Sequence, residues 1–166
     1  MLIRHASVKE YIEKMGDFKI ELSKEGIQQA NQLSNWLSKN NFSIDTALAS
    51  PAKRVEETAN ILFSAKKTNI IFKKSLYLCN LEVALDEISK IETKTETAAL
   101  IGHEPTISEA LKFLISETRP DLNYVLKNTY PNAGLSVIHL YIDSWNRIEQ
   151  RQGLLEAFIC PKDFRR

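Results

Sequence analysis

Two cysteines in 166 residues, Cys79 and Cys160, are too few for a disulfide framework. Neither has a histidine nearby, so no Cys/His metal-ligand spacing is present. Five glycines leave little material for a phosphate-cradling loop, and no Walker-type loop, GxGxxG, HExxH or CxxC occurs. No apolar run approaches the ~18 residues that would span a bilayer. The opening Met1-Leu2-Ile3-Arg4-His5 lacks the apolar core of a secretory signal, so the expected address is cytoplasmic, away from membranes. Charge of one sign does not dominate either. The 22 Lys+Arg and 21 Asp+Glu leave a net charge of +1, which argues against a nucleic-acid binder.

What remains is ordinary globular usage, with 43% hydrophobic and 26% charged residues and no repeat or low-complexity tract. That length suits one domain, 1–166, large enough for a core without covalent staples. Oligomeric state is not readable from it.

Short apolar runs alternate with amphipathic stretches. Met1–Ile3 reads as a strand running into Arg4-His5, followed by a mixed loop over 9–21. Leu22-Ser23-Lys24-Glu25-Gly26 opens a helix, with Ile27, Ala30, Leu33, Trp36 and Leu37 on its inner face and Asn40-Asn41 at its end. Thr46–Ala49 is a strand. Ser50 and Pro51 then suit the N-cap and first position of a helix that buries Val55, Ala59 and Leu62. Asn69–Phe72 is a strand and 81–91 a helix with Leu81, Leu85 and Ile88 inward. Ala98–Ile101 is a strand leading through Gly102-His103-Glu104-Pro105-Thr106 into a helix that buries Ile107, Ala110, Leu111 and Leu114. Residues 116–133 read as a long loop. Leu135–Ile142 and a stretch within Arg147–Ile159 supply two last strands, expected as a hairpin at one sheet edge. The alternation predicts an α/β fold: a mostly parallel central sheet with helices on both faces.

In such a sheet, ligands bind beyond the carboxyl ends of the strands. Three junctions there carry basic residues: Arg4-His5, Arg54 in the first turn of a helix, and His103 just before another helix. Two arginines, two histidines and two helix N-termini make an anion site, most naturally for a phosphoryl group.

Four segments in this order, Leu2-Ile3-Arg4-His5-Ala6, Leu22-Ser23-x-x-Gly26, Ala49-Ser50-Pro51-x-x-Arg54 and Leu100-Ile101-Gly102-His103-Glu104-Pro105, resemble the histidine phosphatase (phosphoglycerate mutase-like) superfamily. The spacing is most similar to its short SixA-type phosphohistidine phosphatase branch, and the match runs from residue 2 to about Pro161. The resemblance implies that His5 is the nucleophile and that Arg4 and Arg54 grip the non-bridging oxygens. It implies that His103 binds the phosphoryl group and steadies its charge. It also implies that no cofactor or metal is needed. Asp17, Ser7 and Asn132 are secondary candidates.

The chain departs from the pattern in places. Ala6 stands where the superfamily often has Gly, a feature of the SixA type. Ser7-Val8 replace Glu-Thr. Ile20 and Glu21 replace the Arg-Pro of an Asp-x-x-Arg-Pro-Leu segment, so that a substrate contact is either lost or moved to Lys19. Ser75–Cys79 contains no carboxylate where mutase-like members place a general acid, and Glu82 lies on the next helix. Asp17 and Glu104 are the remaining proton donors. An alkoxide leaving group needs a proton more than a phosphoramidate nitrogen does. The expected function is therefore a metal-independent phosphohydrolase working through phospho-His5, a SixA-like protein phosphohistidine phosphatase. Its partner would be a phosphorylated protein such as a phosphotransfer domain, or a small phosphorylated substrate. The alternatives are a phosphatase of small phosphorylated metabolites and a non-catalytic phospholigand-binding module. His139, Trp36, Trp145, Cys79 and Cys160 read as structural.

Overall fold

The structure, a computed structural model, describes residues 1–10, 16–63 and 67–164. Part of the loop expected over 9–21 lies outside the described residues. The rest of it holds a 3-10 turn at Asp17–Lys19.

Seven strands form one sheet: β1 (Leu2–Arg4), β2 (Thr46–Ala49), β3 (Asn69–Phe72), β4 (Ala98–Gly102), β5 (Ile115–Thr118), β6 (Leu135–Leu140) and β7 (Gly153–Ile159). Their spatial order is β3-β2-β4-β1-β6-β7-β5. The pairs β3/β2, β2/β4, β4/β1 and β7/β5 are parallel, and β1/β6 and β6/β7 antiparallel. Helices α1 (Lys24–Lys39), α2 (Lys53–Phe63), α3 (Leu81–Ser89) and α4 (Thr106–Leu114) make the crossovers. This is the mostly parallel α/β architecture expected.

The central strands β1, β2 and β4 are apolar apart from Arg4 and Thr46, because both faces are covered. Leu2, Leu48 and Leu100 pack with Ala84, Ile88, Ile107 and Leu111, from α3 and α4. Ile3, Ala47, Ala49, Ala99 and Ile101 turn the other way, onto Leu33, Leu37, Val55, Ala59 and Leu62 of α1 and α2. The period-two alternation of strand side chains thus assigns each helix pair a face. No helix among the described residues is long and apolar enough to cross a membrane.

Several local expectations differ from the structure. Helix α2 begins at Lys53, and Val55 and Glu56 both donate their N–H to Ala52. Ser50 and Pro51 therefore precede it, and the Ser50 hydroxyl is used elsewhere. Ile27 is exposed, since Gly26 and Gln29 take the inner face of α1 instead. On α3, Ala84, Glu87 and Ile88 are buried while Leu81 and Leu85 stay half-buried. The region read as a loop over 116–133 contains β5 and a 3-10 segment, Pro120–Lys127. Strand β5 pairs with β7, so the β6/β7 hairpin is interior and β5 is the edge.

Candidate active site

Sheet register builds the site. Arg4 of β1 lies opposite Gly102 of β4, so His5 and His103 leave the sheet side by side. Their rings are 5.4 Å apart, edge to face. Ala49 of β2 lies opposite Ile101, which brings Ser50 to the same level. The His5 backbone is pinned on both sides: its N–H donates to Gly102 O (3.1 Å) and its carbonyl accepts from Ala133 N (3.0 Å).

Beyond His5 the chain turns under close packing. Ala6 is fully buried, and its N–H donates to Thr58 Oγ1 (3.1 Å), whose hydroxyl donates to Arg54 O (2.7 Å). Thr58 thus ties the turn after His5 to the helix that carries Arg54. Ser7 O accepts from Ser23 N (3.0 Å) and passes directly over Gly26. A Cβ at Gly26 would come within 1.9 Å of that oxygen, so only glycine fits.

The hydrogen bonds decide the tautomers. His5 Nδ1 is 2.8 Å from the Ala6 carbonyl, an acceptor, so Nδ1 carries the proton and Nε2 keeps its lone pair. Burial, with Arg54 and Arg4 nearby, lowers the His5 pKa to about 4. His103 Nδ1 is 3.3 Å from Arg54 Nη2, which can only donate, so its proton sits on Nε2 and is given to Ser50 Oγ (3.0 Å). Burial, then Arg54 and His5, lower its pKa to about 3. Both imidazoles are therefore neutral at neutral pH.

Arg54 is buried in the first turn of α2. Its Nη1 donates to Asp17 O (2.7 Å) and its Nη2 to Asp17 Oδ2 (2.9 Å). Tyr77 donates its hydroxyl to the same Oδ2 (2.6 Å) and sets its ring edge-on to His103, 5.8 Å away. Burial pushes the Asp17 carboxyl up, but the Tyr77 hydroxyl and the Arg54 guanidinium together hold it below the ordinary range. Arg4 donates from Nη1 to Tyr130 O (2.5 Å), and its buried Nε has no hydrogen-bond partner among the described residues. Asn132 donates from Nδ2 to Ser7 Oγ (3.3 Å), leaving its buried Oδ1 without a partner among the described residues. A cavity of about 640 Å³ opens beside Arg4, Ser7 and Asn132. A larger one, about 710 Å³, is lined by Met1, Ala98, His139 and Trp145 and contains none of the four residues Arg4, His5, Arg54 and His103.

The structure thus brings Arg4, His5, Arg54, His103 and Asp17 to one end of the sheet, with Ser7 and Asn132 on the flank towards the cavity. Guanidinium groups and an unprotonated ring nitrogen together suit an oxyanion whose central atom accepts a nucleophile. Among the described residues, no group of three or more His, Cys, Asp or Glu side chains is placed to hold a metal ion.

Residues 1–84 match the histidine phosphatase superfamily (branch 1). The chain belongs to the histidine phosphatase superfamily. SixA of Agrobacterium tumefaciens is 25% identical, with a TM-score of 0.80 over 96% of each chain. SixA of Nakamurella multipartita shares the fold at 19% identity, with a TM-score of 0.80 over 96% of this chain and 95% of that one. An uncharacterised protein of Mycobacterium leprae is 27% identical over 164 residues, covering 96% of this chain and all of the relative. The chain is a phosphatase of the SixA type.

This histidine phosphatase departs from the common pattern where the sequence does. Ile20 is buried at 8% exposure, so an apolar side chain has gone inside where the resemblance leads to an arginine. Lys19 is exposed on the 3-10 turn. Glu82 is exposed in the first turn of α3, and Glu104 accepts from Ser108 N (3.1 Å) at the start of α4. Neither is hydrogen-bonded to the histidine phosphatase cluster. Sequence reasoning missed Tyr77, Ser50, Thr58 and Gln29, which accepts from Ser7 N (3.0 Å). The segment with Tyr77 was read only for a carboxylate, and a phenol bonded to Asp17 fills that side of the site.

Proposed function

We propose that this phosphatase hydrolyses phosphohistidine on another protein, through a phosphohistidine formed on its own His5. The observation that carries the reading is the state of His5: proton on Nδ1, lone pair on Nε2, and a pKa of about 4 between two arginines. Nε2 attacks phosphorus, the substrate's P–N bond breaks, and the leaving imidazole takes a proton from solvent. Water then attacks the phosphorus on His5, that P–N bond breaks, and inorganic phosphate leaves. Arg4 and Arg54 offset the charge of the non-bridging oxygens, which is most of what phosphoryl transfer requires of a protein. His103 is neutral before substrate arrives. A dianion between it and Arg54 favours its protonation, which turns Nδ1 from an acceptor into a donor.

The substrate class rests on the proton inventory. Among the described residues, the carboxylate hydrogen-bonded to this cluster is Asp17, already ionised on Arg54 and Tyr77. A phosphoramidate nitrogen needs less help from an acid than an alkoxide. The similarity to SixA of Agrobacterium tumefaciens, described as a phosphohistidine phosphatase, supports the same class. A phosphatase of small phosphorylated metabolites is the second reading, and the cavity beside Arg4 is what favours it.

The test is phosphate release from a phosphohistidine-bearing phosphotransfer domain in the presence of EDTA, comparing wild type with His5→Ala. Release that needs His5 and ignores EDTA is expected. Turnover of sugar phosphates at higher kcat/KM than the phosphohistidine protein would move the assignment to the second reading.

A further inference from the structure

The cavity beside Arg4 is larger than a phosphoryl group needs. Its volume of about 640 Å³ falls in the range of sites that hold a substantial piece of a ligand. It adjoins the phosphate end of the site, because Arg4 and Ser7, which flank the His5-Ala6 segment, are among its lining residues. Two of its lining residues carry a buried polar atom with no hydrogen-bond partner among the described residues, the donor Arg4 Nε and the acceptor Asn132 Oδ1. Its charged lining residues are Arg4 and Lys162, both cationic, with no aspartate or glutamate among them. At the outer rim the Lys162 ammonium rests over the Tyr124 ring, 5.2 Å from its centre, and pairs with no carboxylate among the described residues. Lys162 and Tyr124 are both exposed, so the rim is open to a chain running across it.

We propose that this cavity is a second substrate subsite, which takes an acidic side chain of the protein segment carrying the phosphorylated histidine, with Lys162 meeting its carboxylate. The inference rests on the function proposed above and names what that substrate must carry. The cationic lining residues Arg4 and Lys162 select a second anionic group, and the Lys162 ammonium over the Tyr124 ring, with Asp121 and Asp163 also near that ring, is placed to supply the attraction. Lys162 binds substrate at a distance from the reacting phosphorus and takes no part in the chemistry.

The experiment uses two phosphohistidine peptides that differ only in flanking residues, one with Asp and Glu, one with Asn and Gln. The readout is the ratio of their kcat/KM values within each protein, so a general loss of activity cancels. Wild type is expected to prefer the acidic peptide. Lys162→Ala should lower the ratio about three-fold and Lys162→Glu about ten-fold, and high salt should bring it toward one. A wild-type ratio near one, or a ratio unmoved by Lys162→Glu, would overturn the subsite. A Lys162-dependent preference for 3-phosphoglycerate over glycerol 3-phosphate, without one between the peptides, would reassign it to small phosphorylated acids. Calorimetric titration of both peptides into His5→Ala separates the two claims. Preferential binding there supports the subsite even if no peptide is turned over, whereas lost turnover counts against the function.

Discussion

Arg54 Nη2 lies 2.9 Å from Asp17 Oδ2, so in the free protein a carboxylate already sits on the guanidinium assigned to the phosphoryl group. The two partners differ in exposure: the Arg54 side chain is 6% exposed and that of Asp17 46%. The arginine is enclosed, whereas the carboxylate lies half in solvent with Tyr77 as its other partner. An arriving dianion must share the guanidinium with Asp17 or displace it, and like charges at that distance repel. Asp17→Asn keeps the shape and removes the charge. Inhibition by inorganic phosphate should strengthen about three-fold, a modest change because the carboxylate is half in solvent. Weaker phosphate inhibition in Asp17→Asn would mean that Asp17 serves to hold Arg54 in place.

The two histidines give a pH signature. Both stand well below the ordinary value of 6.5, His5 at about 4 and His103 at about 3, with burial as the leading cause. In a nuclear magnetic resonance titration their ring resonances should stay still between pH 8 and about 5.5. Midpoints near 6.5 would contradict the burial and the tautomers. Stability follows by linkage. Below 6.5 the unfolded chain binds protons that folded His5 and His103 refuse, so stability is lost as pH falls from about 6.5 towards 4. Urea midpoints should be lower at pH 5 than at pH 7.

Gly26 allows α1 to touch the turn that follows His5. A Cβ there would meet Ser7 O at 1.9 Å and Ser7 C at 2.9 Å, both backbone atoms that cannot swing aside. Gly26→Ala should cost roughly 2–3 kcal/mol, which is on the order of 5–10 °C in Tm for a chain of this length. The displaced turn includes Ala6, whose carbonyl sets the His5 tautomer, so kcat should fall as well. A variant with unchanged Tm and kcat would show that the helix and the turn move together freely.

The elements that build this site were readable because their signals are local. The short, mostly apolar runs at 46–49 and 98–101, bounded by turn residues, suit strands buried on both faces, and Ser50 and His103 follow just beyond them. Ile107, Ala110, Leu111 and Leu114 fall at helical spacing, and all four are buried. What was missed depends on distant partners. Ser50-Pro51 has the form of a helix start, but His103 Nε2–H claims the Ser50 hydroxyl. Tyr77 reaches Asp17 across 60 positions of sequence, and no spacing rule links a phenol after β3 to a turn before α1. Ile27 fits the apolar stripe of α1, yet the close approach at Gly26 rotates that stripe and leaves it in solvent. Strand β5 is short and polar at its last three positions, Ser116, Glu117 and Thr118, which is how an edge strand reads and also how a loop reads.

The central claim is that phosphate passes through His5. Rapid quenching of the protein with a phosphotransfer domain carrying a radiolabelled phosphohistidine, followed by peptide mapping under alkaline conditions, tests it directly. A transient, acid-labile label is expected on the peptide containing His5, absent from folded His5→Ala. Label on His103 or elsewhere, or phosphate release by folded His5→Ala at the wild-type rate, would contradict it.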